Sequence, residues 1–265
     1  MFRPTKIARS DGSKSPISEV MYILGVTGGI ASGKSTVCAT VSGLVEQIGG
    51  HHLAVIDADK LGHAAYTTGG PCYQAIVNHF GAGVVAPDGE IDRRALGSIV
   101  FSDPMRMREL EALVWPAIRG FIEQELLDLA ERETRNPRVP VIVVIEAAVM
   151  LEAGWNDLCT SLWVVHVDPL VARERLMARN SLTREEADKR INAQMTNSER
   201  LSKLRECDVS IKNSGSPASL TISVNEAFQS CMVKMNNPFF NYISPLIDQS
   251  REKSDAPMPS GGIEG

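Results

Sequence analysis

Apolar residues in this chain follow two periods. Short consecutive runs, often β-branched, occur at 22–26 (Tyr-Ile-Leu-Gly-Val), 53–56 (Leu-Ala-Val-Ile), 140–146 (Pro-Val-Ile-Val-Val-Ile-Glu), 161–167 and 207–211. Runs of this length, apolar on both faces, predict strands of a parallel sheet. Between them, apolar residues recur every three or four positions over 36–48, 73–80, 102–130, 172–180 and 218–234, and 183–194 is a charged continuation. That spacing predicts helices, and the stretch 61–135 reads as mostly helical. Strands alternating with helices predict an α/β fold whose parallel sheet is covered on both faces. Ligands of such sheets sit at the carboxyl ends of the strands, where the phosphate-loop-like segment after residue 26, Asp57 to Asp59, Glu146 and Asp168 all fall. Gly49-Gly50 reads as a helix terminator and Pro87-Asp88-Gly89 as a turn.

Composition narrows the class. A chain of 265 residues that is 43% apolar holds a real core in one large domain, or one domain with insertions. The net charge of −5 argues against a nucleic-acid binder held by a broad basic face. No apolar run approaches the ~20 residues that span a bilayer, so no membrane insertion is expected. The longest, 139–150, is broken by Glu146 and reads as a buried strand and its exit. Five cysteines, an odd number without C-x-x-C spacing, suit reduced thiols in a cytosol-like compartment. Residues 1–20 are polar and aperiodic and read as a flexible extension; Arg3, Lys6 and Arg9 give it a trace of a mitochondrial transit segment, against which Asp11 and Glu19 count. A cytoplasmic protein is expected, with a mitochondrial one as the alternative. Residues 236–265 read as a tail, disordered from 249, with Pro238-Phe239-Phe240-Asn241-Tyr242-Ile243 packing back on the domain.

The chemistry centres on Gly28-Gly29-Ile30-Ala31-Ser32-Gly33-Lys34-Ser35, which fits G-x-x-x-x-G-K-[ST] between a strand and a helix. Glycines let the backbone curl so that successive N–H groups face a polyphosphate, and the helix N-terminus beginning near Thr36 adds its dipole. Lys34 reaches the β/γ-phosphates and Ser35 holds Mg²⁺. Asp57-Ala58-Asp59 closes the second strand. Two carboxylates two apart on an extended strand point the same way, as transfer to a hydroxyl requires; alternatively Asp59 caps a helix. Arg175 and Arg179 lie four apart, on one helical face, where guanidinium groups stabilise a transferring phosphoryl group; a solvated, salt-bridged helix with Glu174, Glu185 and Glu186 is the alternative.

The ordered set of segments resembles the dephospho-coenzyme A kinase family, and in particular the kinase domain of the animal bifunctional coenzyme A synthase. The match runs from Thr27-Gly28-Gly29-Ile30 and Gly33-Lys34-Ser35 through Ile56-Asp57-Ala58-Asp59, Leu61-Gly62-His63, Gly69-Gly70-Pro71 and Asp88-Gly89-Glu90-Ile91-Asp92-Arg93. It continues through Trp115-Pro116-Ala117-Ile118, Glu146-Ala147-Ala148-Val149 and Arg190-Ile191-Asn192-Ala193-Gln194 to Asn213-Ser214-Gly215. The resemblance implies a P-loop kinase domain over 21–235, a three-layer α/β/α core with a helical substrate-binding insertion at 61–135 and a lid at 179–200. It implies transfer of the ATP γ-phosphoryl group to the ribose 3′-hydroxyl of dephospho-coenzyme A, with Mg²⁺. By resemblance, Asp59 is the base toward that hydroxyl, Lys34 and Arg175 contact the phosphates, Arg179 opens the lid and Asn213 meets the nucleotide base. Thr36 belongs with the loop, while Thr27, Asp57, Arg93, Trp115 and Pro116 fall to the substrate. Trp115-Pro116 and Ala147-Ala148-Val149 depart from the His-Pro and Pro-Leu-Leu of many bacterial members, which suggests the animal-type branch. Only 21 residues precede the match, so the expectation is the kinase activity alone, with a separate phosphopantetheine adenylyltransferase as functional partner. Another P-loop small-molecule kinase is one competing reading. A non-catalytic nucleotide switch is the other; the guanine-reading Asn-Lys-x-Asp motif does not occur.

Overall fold

The first apolar run becomes strand β1 (Met21–Gly28), whose every residue is buried. In the computed structural model, residues 21–48, 52–135 and 141–234 are described. The Gly49-Gly50 terminator, the first residue of the run at 140, the extension at 1–20 and the tail at 236–265 lie outside them. Beyond β1 the chain forms α1 (Lys34–Ile48), β2 (His52–Asp57), α2 (Ala58–Ala65), α3 (Tyr73–Phe80), α4 (Arg93–Val100), α5 (Pro104–Arg135) and β3 (Val141–Glu146). It continues with β4 (Ser161–His166), α6 (Pro169–Asn180), α7 (Arg184–Asn192), α8 (Asn197–Ser202), β5 (Val209–Lys212) and α9 (Pro217–Lys234). The five strands make one parallel sheet in the order β2-β3-β1-β4-β5. The α/β expectation holds, because strands apolar on both faces are stable only where helices cover both.

Contacts divide the chain into two units. One comprises the segment up to Thr27 together with Ala54–Thr160; the other comprises Gly28–Leu53 and the segment from Ser161. In the first, β1 pairs with β3 in register from Met21↔Val141 to Val26↔Glu146. Thr160 ties down the same strand: its hydroxyl accepts from Ile23 N at 3.2 Å, and its own N–H donates to Ile23 O at 2.8 Å. Helix α5 is the long amphipathic element expected over 102–130. Val114, Ile118, Ile122, Leu126 and Ala130, each four apart, form its buried stripe. Burying a side chain such as Ile122 or Leu126 contributes about 1.5–3 kcal/mol. Pro116 sits inside α5 at an exposed position. Gly62 of α2 lets α5 approach: a Cβ there would stand 3.2 Å from Ile118 Cδ1. The expected turn at Pro87-Asp88-Gly89 is present. Gly89, at φ 85°, donates to Ala86 O at 2.9 Å, and Val85 bridges Ile91 in antiparallel fashion.

In the second unit, β4 pairs with β5 from Trp163↔Val209 to His166↔Lys212, and α9 packs on α1. Strand β5 starts later than the 207–211 run predicts. Asp208 is withdrawn into the preceding turn, where its carboxylate accepts from Leu162 N and Arg205 N, each at 2.8 Å. The segment 197–202 was not foreseen as helix. It is started by a capping box, in which Thr196 Oγ1 accepts from Glu199 N and the Glu199 carboxylate accepts from Thr196 N. Thr183 and Glu186 start α7 in the same way. Cys38, Cys72, Cys159 and Cys231 are buried and Cys207 is half-buried, all five as free thiols. Among the described residues no helix is long and apolar enough to cross a membrane.

Candidate active site

Between the end of β1 and the start of α1, the chain must reverse within a few residues. It does so through left-handed backbone: Gly28 at φ 155°, Ala31 at 59° and Gly33 at 93°. Two of these positions admit only glycine. A Cβ on Gly28 would collide with the Val165 carbonyl oxygen, and one on Gly33 would collide with the Asn213 side-chain amide. Ser32 N donates to Gly29 O at 3.2 Å, and Val37 N donates to Gly33 O at 3.1 Å, joining the loop to α1. The Lys34 side chain folds back along the loop, its ammonium donating to Gly28 O at 3.1 Å and Gly29 O at 3.3 Å. Ser35 and Thr36 are exposed in the first turn of α1. A hydroxyl oxygen there is a suitable ligand for a hard cation such as Mg²⁺.

The second unit brings three distant side chains to this loop. Asn213, just past β5 and 6% exposed, donates from Nδ2 to Ser32 O at 2.8 Å, while its own N–H donates to His166 O at 2.8 Å. Its side chain therefore braces the loop from beneath. Gln194, past the end of α7, accepts through Oε1 from Ile30 N at 2.7 Å. Arg200 of α8, 3% exposed, donates from Nη1 to Met195 O. A cavity of about 440 Å³ opens here, lined among others by Gly29, Ile30, Ser32, Gln194 and Arg200. Ser32 Oγ is buried without a hydrogen-bond partner among the described residues.

The remaining expected residues are placed as follows. Arg175 is half-buried on α6. Arg179 is exposed, its Nε donating to Asn180 Oδ1 at 3.0 Å. On the same helix Arg173 makes a salt bridge to Asp188 of α7 at 2.5 Å. Asp168 follows β4 at the N-cap position of α6 and pairs with Lys212 at 3.5 Å. The Ser214 hydroxyl, and then Lys212, hold its carboxyl below the usual range. His166, which ends β4, is pushed down by burial and by Lys212, against the pull of Asp168.

In the first unit, Thr27 is fully buried and donates to Ala148 O at 3.3 Å. The carboxylates of the second strand separate in a way the sequence reading did not anticipate. The strand ends at Asp57, and Asp57, not Asp59, is the helix cap, its Oδ1 accepting from Lys60 N at 3.1 Å. Asp59 lies exposed in the first turn of α2, so the two do not project from one extended strand end. Arg93 is exposed at the start of α4. Trp115 is half-buried and Pro116 exposed on α5. Nearby, Arg119 holds Asp157 with two bonds of 2.8 and 3.0 Å.

Sequence reasoning named neither Gln194 nor Arg200 as functional. The available signal was the T-x-x-E pattern at 196–199, which marks a helix start and places Arg200 on that helix.

A strand, a glycine-built loop and a helix within a parallel five-stranded sheet define the P-loop class of α/β proteins. Comparison with known proteins narrows the class. The family model for dephospho-CoA kinase matches residues 22–219. The chain is 43% identical over 206 residues to the dephospho-CoA kinase of Geobacter sulfurreducens, covering 78% of this chain and 96% of that enzyme. It is 45% identical over 196 residues to that of Symbiobacterium thermophilum, covering 74% and 75%. Among solved structures, the dephospho-CoA kinase of Campylobacter jejuni superposes with a TM-score of 0.53 at 26% identity, over 79% of this chain and 96% of its own. A Thermus thermophilus protein superposes with a TM-score of 0.60 at 31% identity, over 81% and 98%. This chain belongs to the dephospho-CoA kinase family.

Proposed function

We infer that the protein uses ATP to phosphorylate the ribose 3′-hydroxyl of dephospho-coenzyme A, giving coenzyme A and ADP, the last step of coenzyme A synthesis. The observation that carries this reading is the loop itself: left-handed backbone at Gly28 and Gly33, with the Lys34 ammonium laid along it, in a chain of this family. Phosphoryl transfer asks a protein mainly for positioning and charge neutralisation. The loop amides and Lys34 hold the β- and γ-phosphates, with Arg175 adding charge. Asp59 holds the 3′-hydroxyl proton and orients the oxygen for attack. Asp59 lies exposed in the first turn of α2. Ser35 would hold Mg²⁺, which would supply charge neutralisation to the transferring phosphoryl group.

In this reading Thr27, Asp57, Arg93, Trp115 and Pro116 serve the acceptor, the helices over 61–135 form its binding insertion, and 179–200 is the lid. Arg179 begins that lid and Asn213 stands beside the nucleotide. A separate phosphopantetheine adenylyltransferase supplies dephospho-coenzyme A in the cytoplasm; the bacterial relatives support that setting.

The test is ADP release from Mg-ATP with dephospho-coenzyme A, adenosine, AMP or phosphopantetheine as acceptor, and mass spectrometry of the product. Turnover confined to dephospho-coenzyme A, with a 3′-phosphorylated product, supports the reading. Turnover with a different acceptor overturns the substrate, and nucleotide binding without any turnover overturns the activity.

A further inference from the structure

Helix α8 buries an unexpected residue. Its neighbours Ser198, Glu199 and Ser202 are exposed and Leu201 is half-buried, yet Arg200 is 3% exposed and is the one residue α8 buries. An amphipathic helix ordinarily turns its apolar side chain inward, because burying a guanidinium carries a desolvation cost that only hydrogen bonds and an opposing charge offset. The Thr196–Glu199 capping box sets where α8 starts and hence which way Arg200 faces.

It faces the phosphate loop. A point one Cβ length from Gly29 lies 3.4 Å from Arg200 Nη1 and 3.6 Å from Gln194 Oε1. That same Oε1 is the acceptor for Ile30 N at 2.7 Å. The carboxamide oxygen of Gln194 thus occupies, on a loop amide, the kind of position a phosphate oxygen takes, with a guanidinium beside it. Ser32 Oγ, buried and without a partner among the described residues, lines the same cavity. The Lys34 ammonium rests on Gly28 O and Gly29 O, so this is the end of the loop from which the lysine reaches the β- and γ-phosphates.

We propose that Arg200 contacts the γ-phosphate of ATP, and that Gln194 Oε1 holds the seat of a phosphate oxygen until nucleotide arrives. Arg200 is then a binding residue additional to Arg175 and Arg179, neither of which lines this cavity. Displacing Gln194 is favourable, since an anionic oxygen accepts from an amide more strongly than a neutral carboxamide does. The proposal rests on the ATP-dependent kinase reading.

The test measures affinity for ADP and for the non-hydrolysable analogue AMP-PNP by calorimetry, with thermal unfolding recorded alongside. The proteins are the wild type, Arg200→Gln, Arg200→Lys and Gln194→Glu. In Arg200→Gln, AMP-PNP should weaken about 10- to 100-fold and ADP by only a few-fold, with Arg200→Lys recovering much of the loss. Gln194→Glu places a carboxylate in the phosphate seat, against Arg200, and should weaken AMP-PNP more than ADP without lowering the unfolding temperature. Unchanged AMP-PNP affinity in Arg200→Gln, or equal loss for the two nucleotides, overturns the proposal and leaves Arg200 a structural brace for the Met195 carbonyl. If the wild type bound neither nucleotide, the kinase reading itself would fall and the proposal with it. Normal wild-type binding with an unaffected Arg200→Gln would sink the proposal alone.

Discussion

Gly33→Ala, combined with Asn213→Ala in a double-mutant cycle, tests whether the phosphate loop is built by backbone conformation and by steric fit together. Alanine at φ 93° carries a conformational cost of about 1–3 kcal/mol. Its methyl group also overlaps the Asn213 side-chain amide, and overpacking of this kind costs about 1–3 kcal/mol. Asn213→Ala alone removes the 2.8 Å bond to Ser32 O, leaving a buried carbonyl short of a donor at about 1–3 kcal/mol. In the double variant the overlap disappears while the conformational cost and the lost bond remain. The combined loss should therefore fall short of the two single losses by about 1–3 kcal/mol. Urea unfolding of the nucleotide-free protein, with the slope checked for constancy across variants, measures all four corners. Losses that add to within about 0.5 kcal/mol would refute the steric part of the argument. A Gly33→Ala protein as stable as the wild type would refute both parts.

Asp59→Asn should lower kcat by about 10²–10⁴ while leaving ATP affinity within a few-fold, and a near-normal kcat would reject its role at the hydroxyl. Asp57→Ala should lose a helix cap worth ~1 kcal/mol in unfolding experiments, with Asp57→Ser regaining most of it; the exposed Lys60 pair adds little. Burial alone would raise the Asp208 carboxyl, but its bonds from Arg205 and Leu162 N outweigh this and hold it below the usual value. Its contribution to stability is accordingly full above the ordinary aspartate value of about 3.9 and disappears as pH falls through the lowered folded value. Asp208→Asn should thus be clearly less stable than the wild type at pH 7. That gap should narrow in urea titrations carried below about pH 4, and a gap independent of pH would contradict the assignment.

Periodicity alone placed the five strands and the long helices, because burial on both faces of a parallel strand and on one stripe of a helix leaves a local mark on the sequence. The stripe from Val114 to Ala130 is written in α5 residue by residue. The glycine loop after β1 was equally legible, since left-handed backbone at Gly28 and Gly33 demands glycine. Where an element ends is less local. Asp208 looked like part of a strand, yet it leaves β5 to satisfy Leu162 N, an amide 46 residues away. Asp59 was the candidate cap, but the strand ends one residue before the helix begins at Ala58, which gives the cap to Asp57.

Sequence by itself determined the class of fold, the place of the glycine loop after β1 and, through an ordered set of segments, the family. Those features follow from short-range rules: alternation, helical period and the backbone freedom of glycine. Only tertiary structure decided that Asn213 braces Ser32, that Gln194 sits on the Ile30 amide and that Arg200 turns inward toward Gly29. These contacts join residues more than a hundred positions apart. A hydrogen bond or a buried charge across such a separation depends on where the chain brings its partner, and it leaves no periodic trace in the residues that make it.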